Sequence, residues 1–138
     1  MDQSEGDRTG RILPREGGVG LLVIDRDRFG SLSIRNPDRD GSLVSTEIRT
    51  DGPVRLEVNA EGLGPDSPLR LELVDWAERP LPGYAGGQAA VLTRSGLHLP
   101  ATWGGARELP AGRPFRIRAS FEGPERGAIR LYALYLGQ

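Results

Sequence analysis

The sequence predicts an all-β fold: a two-sheet antiparallel β-sandwich, jelly-roll-like, with about eight or nine strands and little helix. Four runs of residues alternate strictly between apolar and polar side chains, and 20 Gly and 11 Pro among 138 residues interrupt the chain at short intervals. No apolar pattern of helical period extends beyond two turns. Because successive side chains on a strand point to opposite faces, each run must bury one face and expose the other.

The strands are expected in a single domain at residues 12–138, after a polar flexible tail at residues 1–11. The inward-facing rows of the four clear runs are Val54, Leu56 and Val58; Leu69, Leu71 and Leu73; Phe115, Ile117, Ala119 and Phe121; and Ile129, Leu131, Ala133 and Tyr135. Weaker candidate strands lie at 20–24, 29–34, 43–49, 89–93 and 96–103. The Gly/Pro/Asp-rich loop at 61–68 suggests that its two flanking strands are neighbours in one sheet. Tyr132 and Tyr135 differ in parity, so one is expected to face inward and the other outward.

Composition limits the classes of partner. The formal charge of −1 comes from 19 acidic and 18 basic residues spread along the chain, so no basic stripe is present for a nucleic acid. The absence of Cys excludes disulfides and thiolate chemistry. No apolar run is long enough for a membrane span and the first ten residues do not resemble a secretory signal, so neither a membrane nor a compartment is indicated. An extracellular location is expected if the domain belongs to a secreted parent.

Several segments together resemble one known domain. They are residues 18–32, 54–59, 71–84, 102–104, 116–118 and 131–132. The chain from about Gly17 to Leu136 is similar to the C-terminal β-sandwich that follows the catalytic propeller in bacterial proteins similar to glycoside hydrolase family 32 and sialidase-like enzymes. The resemblance implies an accessory module, because in that family the catalytic carboxylates belong to the propeller. It therefore implies no catalytic residue in this chain, and it suggests a propeller domain as a partner.

The chain departs from this family at two places. Relatives commonly carry Gly in an Asp-x-x-Gly-x-Pro turn, whereas this chain reads Asp75-Trp-Ala-Glu-Arg-Pro80. Relatives also tend to carry acidic residues between the aromatic at Tyr84 and the strand at Trp103, whereas residues 86–96 here contain none. The roles of those acidic residues cannot be transferred to this chain.

The aromatic residues at and after this turn suggest a ligand-binding surface. Sugars bind by stacking on exposed aromatic rings while neighbouring polar groups satisfy their hydroxyls. The residues predicted to do so are Trp76 and Tyr84, with Asp75, Glu78 and Arg79. The first functional hypothesis is accordingly a non-catalytic, carbohydrate-associated module. The same residues are also compatible with an aromatic cap on one end of the sandwich.

A second polar segment has the spacing of a calcium loop. Alternate oxygen donors and a Gly bend are typical of Ca²⁺ sites, and they occur here at Asn36, Asp38, Asp40, Ser42 and Glu47, with the bend at Gly41. Ca²⁺ is the one cofactor that the sequence suggests. A polar turn between strands that binds no metal explains the same pattern.

Other motifs give little support to catalysis. His98 lies in an alternating strand, and Ser95 three residues before it has no nucleophile elbow around it. Gly17-Gly-Val-Gly20 precedes a strand instead of opening a helix, which is not the arrangement of a phosphate loop. The alternative function is a structural module that self-associates or docks on a protein through a sheet face or edge, with Arg116, Arg118 and Arg130 on its outer surface.

Overall fold

The structure is a computed structural model that describes residues 30–39 and 41–137. It confirms the predicted fold class, because the described chain is almost entirely β and forms two antiparallel sheets. The seven strands are β1 (Gly41–Val44), β2 (Arg55–Glu61), β3 (Leu69–Val74), β4 (Ala90–Leu92), β5 (Gly96–Pro100), β6 (Arg116–Phe121) and β7 (Arg130–Gly137). Two single-turn 3-10 helices, Gly86–Gln88 and Arg126–Ala128, are the helical elements of this part of the chain.

The sheets have the strand order of a jelly roll. One sheet has four strands in the order β1-β6-β3-β4, and the other has three in the order β5-β2-β7. Leu32 forms an isolated antiparallel bridge with Leu131 on the outer edge of β7, through hydrogen bonds of 2.8 and 2.9 Å. If this segment is counted as strand 1, the strands β1 to β7 become strands 2 to 8. The two sheets then have the orders 2-7-4-5 and 6-3-8-1. The chain therefore crosses repeatedly between the layers, as expected for two Greek keys.

The apolar rows of the two sheets meet to form the core. β6 shows why these residues form strands, since Ile117, Ala119 and Phe121 are buried while the polar residues between them are half-buried on the outer face. The core also includes Leu43, Leu56, Val58, Ala60, Leu69, Leu71, Leu73, Leu81, Ala90, Ala101, Trp103, Leu109, Phe115, Ile129, Leu131 and Leu134. Trp103 is 1% exposed and is one of the largest side chains of this core.

The expectation that the strands flanking the 61–68 loop are neighbours in one sheet is wrong. β2 lies at the centre of the three-stranded sheet, and β3 lies in the four-stranded sheet. The loop between them carries the chain across the sandwich and is closed by paired hydrogen bonds between Gly64 and Ser67. A loop of this length fits either a hairpin or a crossing between layers, so its composition alone does not decide which strands pair.

The predicted inward row of β7 is wrong at Tyr135, although Ile129, Leu131 and Ala133 are buried as expected. The register between β2 and β7 pairs Ala60 with Leu131 and Asn59 with Ala133, which leaves Tyr132 as an extra residue. Such a bulge shifts every later side chain to the opposite face. Leu134 is consequently buried, whereas Tyr135 lies opposite Glu57.

Both tyrosines of β7 therefore lie on the outer face, and the expectation that one faces inward is wrong. The Tyr132 hydroxyl donates to Glu61 at 3.2 Å, and the Tyr135 ring lies 5.3 Å from the ring of His98.

The weaker strand candidates are shorter than predicted. β1 begins inside the predicted turn and ends at Val44, and only Ile48 of the later residues forms a bridge, to Phe115. The candidate at 29–34 contributes the single bridge at Leu32, and the candidate at 96–103 ends at Pro100. The candidate at 20–24 and the predicted tail lie outside the described residues.

Candidate functional site

The turn after β3 is fixed by the side chain of Asp75. Its Oδ1 accepts the backbone N–H groups of Ala77 and Arg79, each at 2.9 Å, and its Oδ2 accepts Arg79 Nε at 2.9 Å. The backbone adds two hydrogen bonds, from Asp75 N to Arg79 O and from Glu78 N to Asp75 O, both 2.9 Å. The carboxylate therefore holds the turn in one conformation, as Asp does in Asx-type turns.

These contacts also lower the pKa of Asp75. The backbone N–H of Arg79 contributes most, burial acts in the opposite direction, and the N–H of Ala77 and the Arg79 guanidinium lower the pKa further. Hydrogen bonds and a positive charge favour the ionised form of a carboxyl. Asp75 is thus anionic at neutral pH and acts as a structural acceptor.

The same turn displays Trp76 to solvent. Its side chain is 71% exposed, and the Arg79 guanidinium carbon lies 6.0 Å from the centre of its ring. That distance is at the outer limit of a cation–π contact. The backbone beneath this exposed indole is already held by hydrogen bonds, so a ligand that stacks on the ring does not have to order the turn.

Tyr84 does not share this exposure. Its ring is half-buried and lies 5.9 Å from the ring of Trp103 at 59°, and its hydroxyl donates to Glu108 O at 3.3 Å. The expectation of an exposed platform made of Trp76 and Tyr84 is therefore corrected. Tyr84 packs on the core, and Trp76 is the exposed ring.

Glu78 adopts a strained backbone conformation. Among the described residues it is the one residue other than Gly with a positive φ, 63°. This region costs an L-residue about 1–2 kcal/mol. The conformation is held by Arg118 on β6, whose Nη2 donates to the Glu78 carboxylate at 3.1 Å and to its carbonyl at 3.4 Å.

Glu78 borders a groove of about 680 Å³ on the outer face of the four-stranded sheet. The groove is lined by Gly41, Ser42, Arg70, Glu72, Glu78, Arg118, Ser120, Phe121 and Glu122. The register places Ser42, Ser120 and Arg70 side by side on β1, β6 and β3, with Arg118 and Glu72 paired two residues away. Glu78, Ser42 and Arg118 of this set are predicted functional residues for three separate reasons, and no pattern in the sequence joins them. Only the register of three strands that are distant in sequence brings them together.

The predicted calcium set is only partly described. Asn36 Oδ1 accepts the backbone N–H of Asp38 at 3.0 Å, an Asx turn, while Ser42 lies on β1 and lines the groove. Asp40 lies outside the described residues. Glu47 follows β1, and its carbonyl accepts the Thr46 hydroxyl at 3.4 Å. Within residues 30–39 and 41–137 no group of three or more His, Cys, Asp or Glu has a metal-binding arrangement. The calcium site stays a prediction.

His98 and Ser95 contact different partners. His98 Nδ1 lies 3.2 Å from Glu57 Oε1, while the Ser95 hydroxyl accepts the Leu63 N–H at 3.1 Å. This outer face of the three-stranded sheet also holds a smaller pocket of about 210 Å³, lined by Arg55, Glu57, Arg107, Tyr135, Leu136 and Gly137. No local pattern predicts this cluster, because the bulge in β7 brings Tyr135 to it.

The three arginines proposed for a docking face do not form one surface. Arg116 and Arg118 lie on β6 in the four-stranded sheet, whereas Arg130 begins β7 in the other sheet. Arg118 already contacts Glu78 within the chain. A docking face on the outer surface of the four-stranded sheet would therefore contain carboxylates as well as arginines.

No helix in the described part of the chain has the length and apolar character needed to cross a membrane. Comparison of the chain with known proteins finds no matching family model, no matching curated protein and no matching solved structure.

Proposed function

We propose that this protein is a non-catalytic β-sandwich module that is associated with carbohydrate, either by binding sugar or by packing on a glycosidase-like propeller. The observation that supports the proposal most directly is the exposed Trp76 on the turn braced by Asp75. A large ring at 71% exposure buries little apolar surface in the domain itself. It remains available to the C–H face of a sugar ring.

The surroundings of Trp76 supply the polar half of such a site. Glu78 and Arg79 lie in the same turn, and the pair of Glu78 with Arg118 presents a carboxylate beside a guanidinium. A sugar hydroxyl both donates and accepts, so it is matched by neighbouring acceptors and donors. Binding by one ring and a few hydrogen bonds is expected to be weak, with dissociation constants near the millimolar range.

The test uses the two tryptophans of the chain. We would titrate the protein with neutral oligosaccharides and follow fluorescence, in which Trp76 reports on solvent and Trp103 on the core. Binding should change the emission, and Trp76→Ala should remove both the change and the binding. Leu97→Ala is the matched control, because Leu97 is also a large exposed apolar residue and lies on β5 outside the turn. The absence of binding by the unaltered protein at millimolar sugar would overturn the sugar-binding form of the proposal.

The alternative, a docking or assembly module, is favoured by a different observation. Val91 on β4 and Leu97 on β5 are 45% and 51% exposed, and each belongs to a strand at the edge of its sheet. Exposed apolar edges allow strand addition or packing on another chain. Sedimentation over a range of concentrations tests self-association. Dimerisation that Leu97→Glu abolishes would support it, and a monomer at the highest concentration would contradict it.

A further inference from the structure

We propose that the groove on the outer face of the four-stranded sheet is the main binding site for an uncharged oligosaccharide, with Ser42, Ser120 and Arg118 in direct contact with it. This inference rests on the proposed function and adds the site and the ligand class. The turn that carries Trp76 borders the groove, because Glu78 lies two residues after Trp76 and lines the groove. A bound sugar chain would run from the indole onto the sheet.

The charges of the groove favour an uncharged ligand. Its two guanidinium groups are already paired, Arg118 with Glu78 at 3.1 Å and Arg70 with Glu122 at 3.2 Å. The third carboxylate, of Glu72, accepts the Gly86 N–H at 2.9 Å. Two cations against three carboxylates leave no excess of positive charge for a phosphate or a uronate. A neutral ligand is not repelled by the excess of carboxylates.

The hydrogen-bonding capacity left over matches sugar hydroxyls. Ser42 and Ser120 are register partners on β1 and β6, and neither hydroxyl has a side-chain hydrogen bond to another described residue. Each carboxylate of the groove keeps a second oxygen, and each guanidinium keeps further N–H groups beyond those in its pair. The surface thus alternates donors, acceptors and hydroxyls, which is the pattern that a polyhydroxylated chain satisfies.

Contacts within the chain hold the lining of the groove in place without a ligand. Its floor is the central pair of strands β6 and β3, which pair over six consecutive residues. One wall is held by the Gly86 loop, which accepts Arg70 Nη1 at 3.0 Å and donates to Glu72. At the other wall Arg118 donates hydrogen bonds to both the carbonyl and the carboxylate of Glu78, whose backbone is left-handed. Backbone strain that neighbouring contacts preserve is found preferentially at ligand sites, and a preorganised site loses less entropy on binding.

The experiment maps binding by two-dimensional amide NMR and measures affinity for neutral hexasaccharides of glucose, mannose and xylose, with a galacturonate hexasaccharide for comparison. We expect at least one neutral sugar to shift the amides of Ser42 and Ser120 and the galacturonate to bind more weakly. Ser120→Val removes one hydroxyl without touching the pair of Arg118 with Glu78, and Arg118→Met removes the guanidinium but keeps the apolar stem. Each should weaken binding about tenfold. Arg130→Met, on the other sheet, is the matched control and should leave the affinity unchanged.

The outcomes separate this inference from the proposed function. If a sugar binds, and Trp76→Ala abolishes binding while Ser120→Val and Arg118→Met do not weaken it, the carbohydrate function stands and the groove is overturned as the site. Tighter binding of the galacturonate would overturn the ligand class. If no sugar binds to the unaltered protein at millimolar concentration, the sugar-binding function and the groove as its site both fail. The melting temperature of each variant shows whether weaker binding results from unfolding of the variant.

Discussion

Replacing Trp103 by Phe should lower the free energy of unfolding by about 2–3 kcal/mol, whereas the same replacement at Trp76 should change it by less than about 0.5 kcal/mol. The two residues form a matched pair, because they are the two tryptophans of the chain and their exposures are 1% and 71%. The comparison therefore measures what burial of an indole contributes to this sandwich.

The magnitude follows from the contacts of Trp103. Its Nε1–H donates to Leu71 O at 3.1 Å in the buried interior, and loss of a buried hydrogen bond costs about 1 kcal/mol. The smaller ring leaves a void of roughly 40 Å³, worth about 1 kcal/mol at ~24 cal/mol per Å³. The removed apolar surface adds up to about 0.8 kcal/mol. The contact with Tyr84 survives, because Phe is also aromatic.

Urea denaturation followed by circular dichroism measures both variants. A shift of the midpoint with an unchanged slope would show that stability alone has changed, and the expected fall in melting temperature for Trp103→Phe is roughly 8–12 °C at ~4 °C per kcal/mol. The Trp103→Phe protein should emit from an exposed tryptophan and the Trp76→Phe protein from a buried one. A loss below 1 kcal/mol for Trp103→Phe, or equal losses in the two variants, would refute the burial assigned to these rings.

Three other predictions concern the turns. Gly62 has φ 77° and a side chain there would collide with the Ala128 carbonyl, so Gly62→Ala should lower the free energy of unfolding, measured in urea, by at least about 2 kcal/mol. Gly83 has φ 88° but open space around it, so Gly83→Ala should lower the free energy of unfolding by only about 1 kcal/mol. The pKa of Asp75 is lowered in the folded state, so its contribution to stability is present above its unfolded pKa and is lost as the pH falls through the lower folded value. Melting curves between about pH 2 and 6 should show this loss, and Asp75→Asn should remove that part of the pH dependence. For the predicted calcium set, ~10 mM Ca²⁺ should raise the melting temperature and Asp38→Asn should abolish the rise. An unchanged melting temperature would remove the site.

The sequence predicts those parts of the fold that depend on local alternation. The run at 115–121 became β6 and buried its predicted row, because the period of two is a property of each strand alone. Local alternation does not determine which strands pair. β2 and β3 lie in different sheets although one short loop joins them, since crossing between layers and forming a hairpin require similar loops. A single extra residue in β7 likewise turned Tyr135 outward.

The candidate site also combines contacts that are local in the chain with contacts between residues that are distant in the chain. Asp75, Trp76 and Arg79 form one local unit, because the hydrogen bonds of the Asp75 carboxylate span only four residues. Their closeness in the chain was enough to group these residues, whereas their role as a binding site stays a prediction. Tyr84 belongs instead to the core around Trp103, a contact between residues that are distant in the chain. The groove depends on the register of β1, β6 and β3, which no local pattern specifies.

Glu78 connects the local and the long-range parts of the site. The chain places Gly at other left-handed positions, such as Gly62, Gly83 and Gly123, where an added side chain either collides or gains nothing. At Glu78 it keeps a larger residue in the same backbone region, against the usual chemistry of turns. The side chain that causes the strain is the one that pairs with Arg118 and borders the groove. A Gly at this position would relieve the backbone but would leave Arg118 without its carboxylate partner. The exception to the turn rule therefore coincides with the point where the turn that carries the exposed Trp76 meets the groove.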